Sequence, residues 1–289
     1  MFQVNHWLDG NKIAYIHCCY AHKVGTRGTK DVFPVYIEYK VVEYRFDESK
    51  VLHNKQLIVY PPFEITKAEN GWSEVGLTHS KIKNQGEFFC LVATELNYDL
   101  EGCILCGNNL EYEVCLPLRK AYQIENRGAF SIAGKLDISR IRMVARGLHF
   151  RGRQYLSAAY NDVFPFGFNA RKAELKGEPD IHTTLYREVF EKQLERFNDG
   201  VRKPRELSWF LTVSNNDKYI IDPDGLFTFS MSKEPIMKVG RYAGIKMKEV
   251  PAEYWDAIDR PTLQNETLEI IHLAKNGIFP SYRDFRGSF

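Results

Sequence analysis

The run FPVYIEYKVVEYRF, residues 33–46, constrains the fold more than any other stretch of the chain. It is dominated by β-branched and aromatic residues, which fit the pleated surface of a strand. QLIVY (56–60), FFCLVATEL (88–96) and GAFSIAG (128–134) share that composition and are separated by polar Gly/Asn/Lys loops. Each strand needs neighbours to take its backbone N–H and C=O groups, so these runs together predict an antiparallel, β-rich domain over residues 1–133.

Helix signals arrive later. DIHTTLYREVFEKQLERFNDG (180–200) places Ile181, Leu185, Val189, Leu194 and Phe197 on roughly one face, with Asp180 or Thr183 as a cap and Asn-Asp-Gly as a stop. LSWFLTVS, KYIID and LFTFS, between 207 and 230, read as a three-stranded meander joined by the turns NND and DPDG. Residues 134–231 therefore form an α+β region. In the remainder, 232–289, PIMKV and IKMKEV pair as a hairpin around Gly240 and Gly244, and Pro251 suits the first turn of a helix. LQNETLEIIHLAKNG supplies a second helix closed by Gly277. The whole reads as an α+β protein with a small hairpin-helix-helix unit at its C-terminal side.

The chain has 289 residues and is 44% hydrophobic, enough to bury a substantial core. Its formal charge of +2 lacks the field of a dedicated nucleic-acid or membrane-surface protein, so any such binding has to be local. No stretch approaches the roughly 18 apolar residues of a membrane span, and the N-terminal residues lack the pattern of a secretory signal. The expectation is a cytoplasmic protein without a membrane partner, whose six cysteines are reduced thiols.

Three constellations bear on chemistry. Asp31, Glu38 and Lys40 put acids and an ammonium on a strand, as in the active strand of PD-(D/E)xK nucleases, where acids hold Mg²⁺ and the lysine assists the attacking water. A solvated face of an amphipathic strand accounts for E-x-K equally simply. Cys103, Cys106 and Cys115 offer the C-x-x-C spacing of a zinc site without a local fourth ligand, and buried structural thiols are the competing reading, with no cofactor. Arg140, Arg142, Arg146, Arg151 and Arg153, interleaved with Phe150 and Tyr155, combine phosphate-clamping guanidiniums with rings that stack on bases. The same residue types make protein interfaces, and residues 84–118 carry six acids with no Lys or Arg, so this acidic stretch is a natural counterpart within the fold or in a neighbouring copy of a homo-oligomer.

Phosphate-cradling, dinucleotide, nucleophile-elbow, zincin and kinase motifs are missing. A DEDD-type exonuclease needs an acidic pair inside its first strand, and the sequence offers none.

Val239-Gly-Arg-Tyr-Ala-Gly244 followed by Met247-Lys-Glu-Val-Pro-Ala-Glu-Tyr254 resembles a small module of pattern F-G-K-Y-K-G-x-x-L-x-E-V-P-x-x-Y, labelled a quorum-sensing-regulated virulence factor family. Gly240, Tyr242, Gly244, Val250, Pro251 and Tyr254 fit it, while Arg241 and Ala243 replace its lysines. The module occurs in bacterial and phage proteins, including the tails of exonuclease-like proteins, so the resemblance implies a setting close to nucleic-acid metabolism and no catalytic residue. Taken with the missing motifs, it leads to the expectation of a non-catalytic phage or mobile-element interaction protein. Its partner would be a nucleic-acid-processing or defence complex, which it would block as an anti-defence inhibitor. The alternatives are a metal-dependent nuclease and a single-stranded nucleic-acid-binding protein.

Overall fold

A computed structural model describes residues 4–22, 32–65, 71–145, 155–164, 167–198, 206–215, 226–230, 232–260, 263 and 265–281. The chain forms two compact units, one of residues 1–139 with 154–200 and the other of residues 140–153 with 201–289. The architecture is α+β, as the sequence predicts.

The first unit starts with a short helix α1 (Val4–Leu8) and three long antiparallel strands, β1 (Lys12–His22), β2 (Val32–Tyr44) and β3 (Ser49–Tyr60). After α2 (His79–Gln85) and the short β4 (Glu87–Phe88) come α3 (Phe89–Leu100), β5 (Ile104–Gly107), α4 (Leu116–Ile124) and β6 (Gly134–Asp137). The sheet order is β4-β3-β2-β1-β5-β6, and β5 and β6 run parallel to β1. The three central long strands are thus antiparallel, and parallel pairs flank them, β4 with β3 on one side and β5 and β6 on the other. α5 (Ile138–Ala145) follows, then α6 (Leu156–Val163), α7 (Phe168–Glu174) and the long α8 (Ile181–Asn198).

Alternation along β1 divides the core. Ala14, Ile16 and Cys18 face α3 and α4, packing with Phe89, Val92, Leu96, Leu118 and Tyr122. The odd-numbered residues face the other way, towards α8, where Tyr186 on that helix bonds His17. With helices on both faces, β2 is buried almost end to end, which is why it reads as a near-continuous apolar run.

FFCLVATEL is a helix, not a strand. Phe89, Val92, Ala93, Leu96 and Leu100 are buried at three- and four-residue spacing, so burial of one helical face overrides the β-prone composition. GAFSIAG is mostly irregular and joins the sheet only at Gly134.

In the second unit LSWFLTVS likewise forms a helix, α9 (Leu207–Asn215), while KYIID lies outside the described residues. LFTFS supplies β7 (Phe227–Phe229), which pairs with β8 (Pro235–Met237). The expected hairpin contracts to one bridge, Ile236 to Lys246, closed by bonds between Met237 and residues 244 and 245. Gly240 and Gly244 turn the chain at φ of 83° and 82°, where L side chains are strained. Pro251 then caps α10 (Ala252–Ile258), and α11 (Asn265–Lys275) completes the unit.

Candidate functional site

In open sheets with parallel strands, ligands bind past the carboxyl ends of those strands, where the strand pattern switches. Here that place lies beyond Gly107 of β5, next to residue 17 of β1. Gly107 leaves no room for a side chain, since a Cβ would come within 2.9 Å of the Ile16 carbonyl oxygen. The chain therefore passes tightly under the centre of the site.

His17 and His182 stack there, ring centroids 4.0 Å apart and planes 12° from parallel. His17 Nδ1 lies 3.0 Å from the Tyr186 hydroxyl, and Cys19 Sγ is 3.7 Å from His17 Nε2. The first turn of α8 brings His182 and Tyr186 together because positions four apart share a helix face. β1 brings His17 and Cys19 together because alternate residues share a strand face.

Glu38, opposite His17 in the β1–β2 register, anchors this arrangement. It is fully buried, and it accepts hydrogen bonds from the Thr183 backbone N–H at 2.7 Å and the Thr183 hydroxyl at 2.9 Å. Its other oxygen faces His182 Nδ1 at 3.3 Å. A carboxylate at the start of α8 both satisfies donors without a helical partner and meets the positive end of the helix dipole. Lys40 does the complementary work, pairing with Asp180 at 2.5 Å and donating to the Thr184 hydroxyl at 2.7 Å. The strand thus pins the helix start through an acid and a base.

His182 also reaches Glu74 through Nε2 at 3.4 Å. Burial alone pushes the pKa of this ring down, but the bonds to Glu38 and Glu74 outweigh it and the pKa ends above its ordinary value. Two carboxylates thus favour the protonated form of this ring. The same contact with His182, helped by Lys172 at 3.0 Å, lowers Glu74 to about 2. Cys19 is pushed up to about 12 by burial and by nearby carboxylates, and burial raises the Tyr186 phenol, so both stay protonated at neutral pH.

The alternative nuclease residues are placed only in part. Glu38 and Lys40 are committed to α8, and Asp31 lies outside the described residues. The zinc site is not formed. Side chains three apart along an extended segment point to opposite faces, so Cys103 sits in the core beneath α3 while Cys106 leaves it. Burial raises Cys103 and Cys106, and Cys115 to about 12, which keeps all three as thiols and not as the thiolates that bind zinc. Among the described residues no group of three or more His, Cys, Asp or Glu side chains is placed to hold a metal ion.

Of the basic segment, Arg140 is buried and donates to the Ser214 carbonyl at 3.2 Å, so its guanidinium is engaged inside the second unit. Arg142 is half-buried and Tyr155 is exposed, whereas Arg146, Phe150, Arg151 and Arg153 lie outside the described residues. No helix among the described residues is long and apolar enough to cross a membrane.

No known protein family and no curated protein matches the sequence. Among solved structures, the nuclease domain of 3'hExo, a DEDDh family member bound to rAMP, is 12% identical with a TM-score of 0.47, over 66% of this chain and 95% of that one. Cell-death related nuclease 4 is 10% identical with a TM-score of 0.44, over 64% of each chain. Exonuclease I from Methylocaldum szegediense is 11% identical with a TM-score of 0.37, over 88% of this chain and 61% of that one. These neighbours are nucleases, which corrects the expectation of a non-catalytic phage or mobile-element interaction protein acting as an anti-defence inhibitor.

Among the described residues the carboxylates at this centre, Glu38 and Glu74, are engaged by Thr183, His182 and Lys172. β1, KIAYIHCCYAH, contains no Asp or Glu, so this strand supplies none of the carboxylate oxygens that hard cations prefer.

Proposed function

We propose that this protein acts on single-stranded nucleic acid as a nuclease-type protein, taking a strand at the crevice past the carboxyl ends of β5 and β6. The observation that carries the reading is the stacked pair of His17 and His182 at the switch point of the sheet. The half-buried His17 ring offers a flat face on which a base can stack. The likeness of residues 236–276 to a module found in the tails of exonuclease-like proteins supports the same setting. Six free cysteines fit a reduced, cytoplasmic compartment.

The test is binding and processing of end-labelled single-stranded DNA and RNA. Binding is expected at low salt with an affinity that falls steeply as salt rises. It should be insensitive to EDTA, because the donors do not suit a hard cation, and weakened by His17→Ala. Shortening of the bound strand from one end marks hydrolysis at this site if His17→Ala also stops it. Absence of binding to both nucleic acids at about 50 mM salt refutes the reading.

A further inference from the structure

A second site lies on the other face of the sheet. Between α4, β5, β6 and the turn after α4 is a cavity of about 560 Å³, within the range of small-molecule sites. Its floor is apolar: Leu105, Leu118, Tyr122, Phe130 and Ile132. Leu118 and Tyr122 belong to the core beneath α3 and α4, so the cavity and the imidazole cluster are separated by the sheet itself.

Its walls carry Arg119, Arg127 and Lys135 and no carboxylate. Glu111, just outside, pairs with both Arg119 at 2.9 Å and Lys135 at 2.6 Å. Arg127 is exposed and has no carboxylate partner among the described residues. The excess positive charge at the mouth suits an anion of more than one charge, and the apolar floor suits a flat ring. Two amides, Gln123 and Asn126, stand at the same mouth and supply paired donors and acceptors of the kind that read base edges. The half-buried Phe130 offers a ring for stacking.

We propose that this cavity binds a nucleoside monophosphate, its phosphate held at the mouth by Arg127 with Arg119 and Lys135 and its base laid on Phe130. A phosphomonoester carries about −1.5 to −2 charges at neutral pH, which suits a mouth where the exposed Arg127 stands beside two further cations. The inference stands apart from the strand-binding reading, since failure of oligonucleotide binding leaves it untouched.

Calorimetry on the full chain, with AMP, adenosine and inorganic phosphate titrated separately at equal ionic strength, decides it. AMP is expected to bind at one site at least tenfold more tightly than either half-molecule. Arg127→Glu, an exposed change, is expected to weaken AMP at least tenfold and leave adenosine unaffected. Ala129→Trp, at the exposed rim, is expected to block both. No saturable AMP binding, equal affinity for AMP and adenosine, or AMP binding that survives Arg127→Glu each overturns the proposal, the last by placing AMP elsewhere.

Discussion

Replacing Glu38 by alanine separates an architectural carboxylate from a catalytic one. The Thr183 amide, a helix-start N–H, loses its acceptor, the Thr183 hydroxyl is left with the Asp180 carbonyl alone, and His182 loses one of two flanking charges. Hydrogen bonds to a charged group contribute about 1.5–3 kcal/mol each, and removing one member of a buried ion pair costs about 3–5 kcal/mol. These overlap, because one carboxylate makes all the contacts, so the expected loss is about 4 kcal/mol. Glu38→Gln keeps an oxygen for Thr183 and removes only the charge, and about half that loss is expected. Urea denaturation followed by circular dichroism measures both, with the midpoint moving at constant slope. A loss below about 1 kcal/mol for Glu38→Ala refutes the anchoring argument. If that stable variant also lost all cleavage of nucleic acid, the carboxylate would belong to the chemistry after all.

Further expectations follow from other groups. The folded-state pKa of His182 is raised, so its stabilisation is complete below the unfolded value of about 6.5 and fades as pH rises through the folded one. Urea midpoints from pH 6 to 9 should fall over that range in the native chain and lose that fall in His182→Gln. The depressed carboxyls Asp99 and Asp180 act oppositely, giving stability above about pH 4 that is lost on acidification. Asp137→Ala orphans the Leu110 amide at 2.9 Å and the Ser139 amide at 3.0 Å, and should cost about 3 kcal/mol in the same denaturation assay. Gly240→Ala strains a φ of 83° and drives a Cβ into the Tyr254 hydroxyl, so at least about 1 kcal/mol should be lost. Elemental analysis of the purified protein should find no zinc held by Cys103, Cys106 and Cys115.

The strand β2, the end of β3 from Gln56 to Tyr60 and the helix α8 are legible in the sequence because each carries a run of residues suited to its element. α3 and α9 were open to misreading: both are short and rich in aromatic and β-branched residues, and only the three- and four-residue spacing of Phe89, Val92, Leu96 and Leu100 betrays the helix. Glu38 and Lys40 stand out in the sequence as a charged pair on an apolar strand, and their role depends on what covers them. Their partners lie about 140 positions downstream: His182 is 144 residues from Glu38, and Thr184 is 144 from Lys40. Glu74 is 108 residues from His182. No local pattern reports pairings over such distances. The signal for the His17 and Cys19 site was the absence of acids from a buried strand, which becomes informative only once β1 is seen at the centre of the sheet.

The long reach between β2 and the start of α8 also shapes how the chain leaves the ribosome. At about 5–20 residues per second, the sheet waits on the order of ten seconds for the helix that covers it. Until then Glu38 and Lys40 lack the partners at residues 180–184 that engage them in the folded chain. Charges at such positions discourage uncovered strands of two nascent chains from associating, so the pair that later fastens α8 first serves as a guard against aggregation.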